Sequence, residues 1–199
     1  MTPMERFKLQ PDQRLKFLQG FLKRPQQVGS VIPSSRYLER RVVDRAGVKD
    51  SHMVVELGPG TGGTTRAILR ALPPEGKLLC IELNPDFVRV LEQIRDPRLL
   101  VEEGGAQDLA AILSARGLPA PDTVISGIPF STMSTKLGLS IVETVRSVLA
   151  PGGCFVAYQV RGRVGELGRE VFGPTRGRLE LRNLPPMRVY RWEKEGAAA

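Results

Sequence analysis

Cysteine, histidine and tryptophan are scarce in this chain of 199 residues, which contains two, one and one of them. Cys80 and Cys154 each stand in an apolar run, where a thiol usually behaves as a small buried hydrophobic group. So few residues indicate neither a disulfide framework nor a Cys/His metal centre, and we expect no metal ion. His52 precedes the first predicted strand and is expected to be a surface or capping residue.

Long hydrophobic runs are also missing. No apolar stretch approaches the roughly 20 residues of a membrane-spanning helix, and the charged N-terminal segment has no signal-peptide core. We therefore expect a cytoplasmic protein, with attachment to the inner face of the cell membrane left open. Hydrophobic residues make up 41% of the chain and charged residues 25%, as in a globular protein.

The net charge of +8 is concentrated towards the two ends. Residues 1–50 carry 11 basic and 5 acidic side chains, residues 161–199 carry 9 and 5, and residues 51–160 carry 9 and 11. Basic flanks around a slightly acidic centre indicate an anionic partner, either phospholipid headgroups or nucleic acid.

Asp12–Lys23 is predicted to form a basic amphipathic helix. Its apolar residues recur at helical spacing and basic residues surround them. Such a helix either packs on the domain or lies at a lipid interface. The apolar residues are Leu15, Leu18, Phe21 and Leu22.

From Met53 onward, short apolar runs alternate with longer amphipathic runs, which indicates an α/β fold around a mostly parallel sheet. A C-terminal antiparallel pair brings the sheet to seven strands, and residues 164–172 are predicted to be a short helix or a mobile cover. We divide the chain into an N-terminal helical extension at residues 1–50, for membrane and substrate binding, and a sheet domain at residues 51–195. The predicted strands are Met53–Leu57, Lys77–Leu83, Leu99–Glu103, Thr123–Ser126, Cys154–Val160, Arg178–Leu184 and Met187–Trp192. The predicted helices are Arg36–Arg45, Thr64–Leu72, Pro85–Arg95, Gln107–Arg116 and Thr135–Leu149.

A glycine-rich turn follows the first strand. Gly58, Gly60 and Gly62 permit a tight turn and a close approach of a ligand to the backbone. Taken alone, this pattern also fits a plain strand-to-helix turn. Glu56 stands two positions before the first glycine, where an acid suits a cationic ligand better than a pyrophosphate. Glu82, at the end of the second strand, is placed to accept hydrogen bonds from both ribose hydroxyls. Together these features favour S-adenosylmethionine over NAD.

Two later turns complete the predicted site, because ligands in open α/β sheets lie beyond the carboxyl ends of the strands. After the third strand, Gly104, Ala106 and Gln107 or Asp108 are candidates to bind the adenine, with a capped helix start as the alternative. After the fourth strand, Ser126 is expected to face the reacting methyl group and the cofactor, and the turn that follows it is expected to help form the acceptor pocket. That turn is Gly127, Ile128 and Pro129.

The glycine turn and Glu82 resemble those of the class I S-adenosylmethionine-dependent methyltransferases, which have a Rossmann-like fold. Residues 29–35, 82–87, 126–129 and 183–191 resemble more closely the bacterial phospholipid N-methyltransferases. That family methylates phosphatidylethanolamine, through its methylated intermediates, to phosphatidylcholine. Gly104-Gly105-Ala106 departs from the family's usual Gly-Asp-Ala and removes one expected acid.

The resemblance implies a lipid substrate whose headgroup is bound by residues that precede the first strand in the sequence. Ser34, Ser35, Arg36 and Tyr37 are candidates to bind a phosphate and orient an amine. Tyr37 and Ser34 are the preferred active-site side chains there, since an aromatic ring can also face a methylated cation. The alternatives are an ordinary packed tyrosine and serines that cap a helix.

Two other functions remain open. The first is an rRNA adenine-type N-methyltransferase, although Ser126-Gly127 replaces the Asn of that family's motif and only Phe130 offers an aromatic face for a base. The second is a non-catalytic S-adenosylmethionine-binding module. We therefore expect an anionic phospholipid membrane and a phospholipid substrate as partners, with nucleic acid disfavoured.

Overall fold

The computed structural model describes residues 34–196. The predicted helix Asp12–Lys23 and residues 29–33 of the family-like segment lie outside the described residues. The division of the chain at residue 50 stays a prediction.

A seven-stranded sheet forms the centre of the described chain, with strand order β3-β2-β1-β4-β5-β7-β6. Strands β1 to β5 are parallel, and β7 runs antiparallel to both β5 and β6. This confirms the predicted mostly parallel sheet with an antiparallel C-terminal pair. The strands are β1 Met53–Leu57, β2 Lys77–Glu82, β3 Leu99–Glu103, β4 Thr123–Ser126, β5 Cys154–Gln159, β6 Arg178–Glu180 and β7 Met187–Glu193.

Helices cover both faces of the sheet, so the central strands are buried on both sides and contain continuous apolar runs. Apolar side chains of α1, α2 and α3 pack on one face, and those of α4, α5 and α6 pack on the other. In residues 34–196, no helix combines the length and apolar character required to cross a bilayer. The helices are α1 Arg36–Ala46, α2 Gly63–Ala71, α3 Pro85–Glu92, α4 Leu109–Ala115, α5 Thr135–Val148 and α6 Arg163–Phe172.

Side-chain caps start three of these helices. Ser35 caps α1, since its hydroxyl accepts a hydrogen bond from the Leu38 amide, and Ser134 caps α5 in the same way. Asn84 caps α3, whose first residue is Pro85, a residue without an amide hydrogen to satisfy. Capping therefore explains why the predicted starts of these helices agree with the structure.

The predicted ends of elements are less accurate. Strand β6 ends at Glu180, although the sequence predicted it to reach Leu184, because the Asn183 side chain and two prolines form a turn instead of a ladder. Residues 106–108 form a separate 3-10 turn before α4. Residues 163–172 form a helix, which settles the choice between helix and mobile cover.

Helix α1 extends across the sheet from the edge where the parallel strands end to the edge where they begin. The Glu39 side chain near its start lies over Gly63, beyond the end of β1. At its other end, the Ala46 carbonyl accepts a hydrogen bond from Thr123, the first residue of β4. Helix α1 therefore begins at the edge where β1 to β5 end, which we call the carboxyl edge.

Candidate functional site

The strand order changes direction between β1 and β4. Strands β2 and β3 extend the sheet on one side of β1, and β4 and β5 extend it on the other. Ligands of open α/β sheets bind beyond the carboxyl ends of the strands at such a point. The Gly127 amide donates to the Leu57 carbonyl at 3.0 Å, so the turns after β4 and β1 adjoin there.

Two glycines of the first turn have different surroundings. Both adopt positive φ, +70° at Gly58 and +58° at Gly60. A Cβ on Gly58 would lie 2.5 Å from the Ile128 Cγ2 atom, whereas a Cβ on Gly60 would meet no atom within 4 Å. Gly58 is therefore needed for packing between the turns, and Gly60 borders the open space that a ligand can enter. Gly62 is the N-cap of α2 and closes the turn.

The structure brings Glu82 to this turn. Its Oε2 accepts a hydrogen bond from the Gly60 amide at 3.0 Å, and its Oε1 accepts one from the Asn84 amide at 2.9 Å. Burial raises the pKa of Glu82, while these amide hydrogen bonds act in the opposite direction. The carboxylate is held between two backbone donors next to open space, and this arrangement fits an acceptor for ribose hydroxyls.

Glu56 lies beneath the turn and is fully buried. Its Oε2 accepts from the Thr65 hydroxyl at 2.6 Å and from the Cys80 thiol at 3.4 Å, and its Oε1 has no hydrogen-bond partner in the described structure. Burial raises the pKa of Glu56 to about 7. Glu56 thus links β1 to α2 and β2 inside the protein, and its contact with a ligand stays a prediction.

The loop after β3 is shaped by Gln107. The Gly104 amide donates to the Glu82 carbonyl at 2.9 Å, which joins this loop to the end of β2. The Gln107 side chain folds over Gly105 and donates to the Asp108 carboxylate at 3.0 Å. Asp108 precedes α4 without capping it through its side chain. The capping alternative is therefore wrong here, and an adenine contact by Ala106 or Gln107 stays a prediction.

The turn after β4 is held from several sides. Ser126 is fully buried, and its hydroxyl accepts from the Ile128 amide at 3.4 Å. The Ile128 carbonyl accepts from Gln159 at the end of β5. Pro129 leads into a 3-10 turn whose first residue, Phe130, is 1% exposed and belongs to the core. A base therefore has no exposed aromatic face at Phe130, and the roles predicted for Ser126, Gly127, Ile128 and Pro129 stay predictions.

The start of α1 places Tyr37 at the carboxyl edge, where it is 37% exposed. The Arg182 guanidinium lies 4.4 Å from the centre of its ring, and that of Arg36 lies 4.9 Å away. Arg36 also donates to the Tyr37 hydroxyl at 3.0 Å. We call these three residues the tyrosine cluster. Tyr37 is thus not an ordinary core residue.

The tyrosine cluster is attached to the turn between β6 and β7. The Ser35 amide donates to Asn183 at 2.8 Å, while Ser34 before it is half-buried. Glu180 is 2% exposed and forms ion pairs with Arg41 at 2.8 Å and Arg182 at 3.0 Å. Hydrogen bonds from Arg182 lower the pKa of Glu180 to about 2. Arg182 is therefore fixed over Tyr37 by a carboxylate that stays charged.

Sequence reasoning missed several residues of this region. Tyr158 near the end of β5 is buried, its hydroxyl lies 3.2 Å from that of Thr64, and it occupies the space that a Cβ on Gly127 would need. Burial raises the pKa of Tyr158. Gln159 and Arg182 were also assigned no role. Their position in the sequence could have revealed Tyr158 and Gln159, since both stand at the end of a strand whose carboxyl end borders the predicted site.

Comparisons with known proteins agree with this geometry, although no family model matches the chain. It is 34% identical over 177 residues to an ornithine lipid N-methyltransferase of Singulisphaera acidiphila, and the match covers 87% of this chain and 92% of that protein. Among the solved structures that share the fold are two O-methyltransferases. The O-methyltransferase TomG of Streptomyces achromogenes, in complex with S-adenosylmethionine, has a TM-score of 0.63 at 15% identity and covers 94% of this chain and 92% of its own. An O-methyltransferase of Bacillus cereus, in complex with S-adenosylhomocysteine, has a TM-score of 0.64 at 12% identity and covers 94% and 93%.

The glycine turn, Glu82 and the strand order fit the cofactor of these enzymes. The open space at Gly60 lies beside an acceptor carboxylate, at the reversal point where nucleoside ligands bind. This chain therefore belongs to the family of the ornithine lipid N-methyltransferase, within the Rossmann-like class I methyltransferases, and its cofactor is S-adenosylmethionine.

Proposed function

We propose that this protein methylates the headgroup amine of a membrane lipid, with phosphatidylethanolamine and its methylated intermediates as substrates. The observation that carries this proposal is the tyrosine cluster at the carboxyl edge. Two guanidinium groups suit the phosphate of a headgroup, and the aromatic ring beside them suits an ammonium that gains methyl groups. Glu39, two positions after Tyr37, lies over Gly63, so the cluster is close to the glycine turn.

On the cofactor side, Gly60 and Glu82 are the residues that would hold the nucleoside. When bound, S-adenosylmethionine supplies a methyl group activated by a positively charged sulfur. The chain's own task is then to align the acceptor amine and to exclude water, since a direct displacement needs neither a metal nor a protein nucleophile. The amine must be neutral when it attacks, so a proton leaves the headgroup beforehand.

The relative supports a second candidate substrate of the same chemical class. It is named for ornithine lipid, and the match covers 92% of its length. In both candidates the headgroup contains a primary amine close to an acidic or polar group. The tyrosine cluster suits either headgroup. Location on the inner face of the cell membrane, at an anionic phospholipid surface, is part of the same proposal.

The test is a transfer assay with radiolabelled S-adenosylmethionine and three separate acceptors. These are phosphatidylethanolamine in detergent, ornithine lipid in detergent, and ribosomal RNA. Label in phosphatidylethanolamine is expected. Label in ornithine lipid alone would correct the headgroup, label in RNA would select the nucleic-acid alternative, and no label with bound cofactor would indicate a binding module.

A further inference from the structure

Every large hydrophobic side chain that is exposed in residues 34–196 lies near one part of the carboxyl edge. Leu181 and Leu184 are 69% and 81% exposed, more than the other three. We call the group the edge patch. Its members are Tyr37, Val160, Leu179, Leu181 and Leu184.

Strand register places the edge patch at this edge. Gln159, the last residue of β5, pairs with Arg188 near the start of β7, so Val160 follows directly at the edge. Glu180, the last residue of β6, pairs with Met187. The turn that holds Leu181 and Leu184 therefore projects from the carboxyl edge, beside the start of α1.

The charge around the edge patch is positive. Residues 176–192 contain five arginines and one acid, Glu180, which is buried between Arg41 and Arg182. Exposed arginines surround the patch. Arg36, Arg161, Arg178 and Arg182 each stand next to one of its members in the chain, and Arg188 pairs with Leu179 between β6 and β7. Exposed aliphatic groups among arginines match an anionic bilayer, because leucine partitions into the acyl region while guanidinium groups meet the headgroups.

We propose that the turn between β6 and β7 is a membrane-docking element that inserts Leu181 and Leu184 into an anionic phospholipid surface. The proposal rests on the proposed lipid substrate. It places the bilayer against the edge at which the cofactor crevice opens, so a headgroup reaches the tyrosine cluster without the lipid leaving the membrane. Single-stranded RNA is the less suitable partner, because such sites stack bases on aromatic rings and the two most exposed residues here are aliphatic.

The test measures co-sedimentation of the full chain with vesicles of phosphatidylglycerol and phosphatidylcholine. The variant is Leu181→Asp/Leu184→Asp. The matched control is Ala120→Asp/Pro151→Asp, which adds the same charge at exposed positions before β4 and β5, at the opposite edge. We expect the leucine variant to bind vesicles about tenfold or more weakly and the control to bind like the unmodified protein. A Leu181→Ser/Leu184→Ser variant, which adds no charge, should also bind more weakly than the control.

Vesicle binding by the leucine variants at the level of the control would overturn the proposal. A lower midpoint of thermal unfolding with unchanged vesicle binding would also overturn it, since the chain's own residues 1–33 would then cover the patch. Binding of ribosomal RNA is measured on the same proteins. If the leucine variants lose RNA binding and keep vesicle binding, the surface belongs to nucleic acid instead.

Methyl transfer to detergent-dispersed lipid, measured on the same proteins, separates this proposal from the proposed function. Transfer by all variants, with vesicle binding reduced only in the leucine variants, supports both. No transfer by the unmodified protein would refute the proposed function, while the vesicle result would still decide the docking element.

Discussion

The two halves of the carboxyl edge differ in composition and in exposure. At β1 and β2, the site consists of glycine backbone and two buried acids. Glu82 accepts a hydrogen bond from the Gly60 amide, and Glu56 accepts one from the Thr65 hydroxyl. At β5, β6 and α1, it consists of arginines, an exposed tyrosine and exposed leucines. The first half has the charge and the close backbone approach that a cationic nucleoside needs. The second half has positive charge, which suits a lipid headgroup, and exposed leucines, which suit the acyl region of a membrane.

This difference implies that the halves respond separately to substitution. Changes near the glycine turn should alter folding stability or cofactor affinity without altering use of the lipid acceptor. Changes at the tyrosine cluster should do the reverse. The following experiments test that separation, and they are ordered from the largest expected effect to the smallest.

Gly58→Ala and Gly60→Ala form a matched pair in the same turn. We expect Gly58→Ala to lower the free energy of unfolding by roughly 2–4 kcal/mol, since it combines positive φ with a clash against Ile128. Gly60→Ala should cost only about 1–2 kcal/mol, the penalty of positive φ, but should weaken cofactor binding about tenfold or more by filling the open space. Urea unfolding and calorimetric titration measure the two effects. Equal stability losses with unchanged cofactor affinity of Gly60→Ala would contradict the assignment of the open space.

Glu56→Gln should change how stability depends on pH. The pKa of Glu56 is raised in the folded chain to about 7, so its protonated form stabilises the fold below its ordinary value of 4.5. That contribution is lost as the pH rises through about 7. The unfolding free energy of the unmodified protein, relative to Glu56→Gln, should therefore fall by roughly 2–4 kcal/mol between pH 5 and pH 8. Urea unfolding without ligand measures it, and parallel pH profiles of the two proteins would show that Glu56 is charged when buried.

Glu82→Ala should weaken cofactor binding by roughly 1.5–3 kcal/mol, the scale of hydrogen bonds to a charged group. Glu75→Ala removes an exposed acid just before β2, at the opposite edge, and is the matched control. Isothermal titration with S-adenosylhomocysteine measures both. If Glu82→Ala binds S-adenosylhomocysteine as tightly as the unmodified protein, Glu82 does not bind the ribose. The separation of the two halves would then lose its main support.

Tyr37→Ala should raise KM for the lipid roughly two- to fivefold, the scale of an exposed cation–π contact. Tyr37→Phe keeps the ring and loses the hydrogen bond from Arg36, so a smaller increase is expected. Cofactor affinity should not change in either variant. A fall in cofactor affinity with KM for the lipid unchanged would place Tyr37 in the other half of the site.

At β1 and β2, short-range patterns predicted that the glycine turn and Glu82 lie together. The bend at Gly58 and the acid at Glu82 belong to consecutive strand-to-helix units, and parallel strands bring their carboxyl ends to one edge. The predicted helix starts at Arg36, Pro85 and Thr135 also agree, since each follows a local cap. The predicted end of β6 was wrong because the turn depends on side-chain bonds of Asn183 that no periodicity reports.

The half of the edge at β5, β6 and α1 was only partly predicted. Tyr37 and Arg36 were named, but Arg182 was not, and the Ser35–Asn183 bond that joins their segments spans 148 positions of sequence. Tyr158 was placed correctly in a strand, but its position beneath Gly127 depends on β4 and β5 being neighbours in the sheet.

The sequence by itself determined the order of strands and helices, the glycine turn and the acid that belongs with it, because each depends on residue spacing along one or two adjacent elements. Only the tertiary structure decided which arginine lies over Tyr37, that Glu56 is buried, and that the exposed leucines share an edge with the cofactor crevice. Those relations follow from strand register and from the packing of α1 across the sheet, which couple residues far apart in the chain.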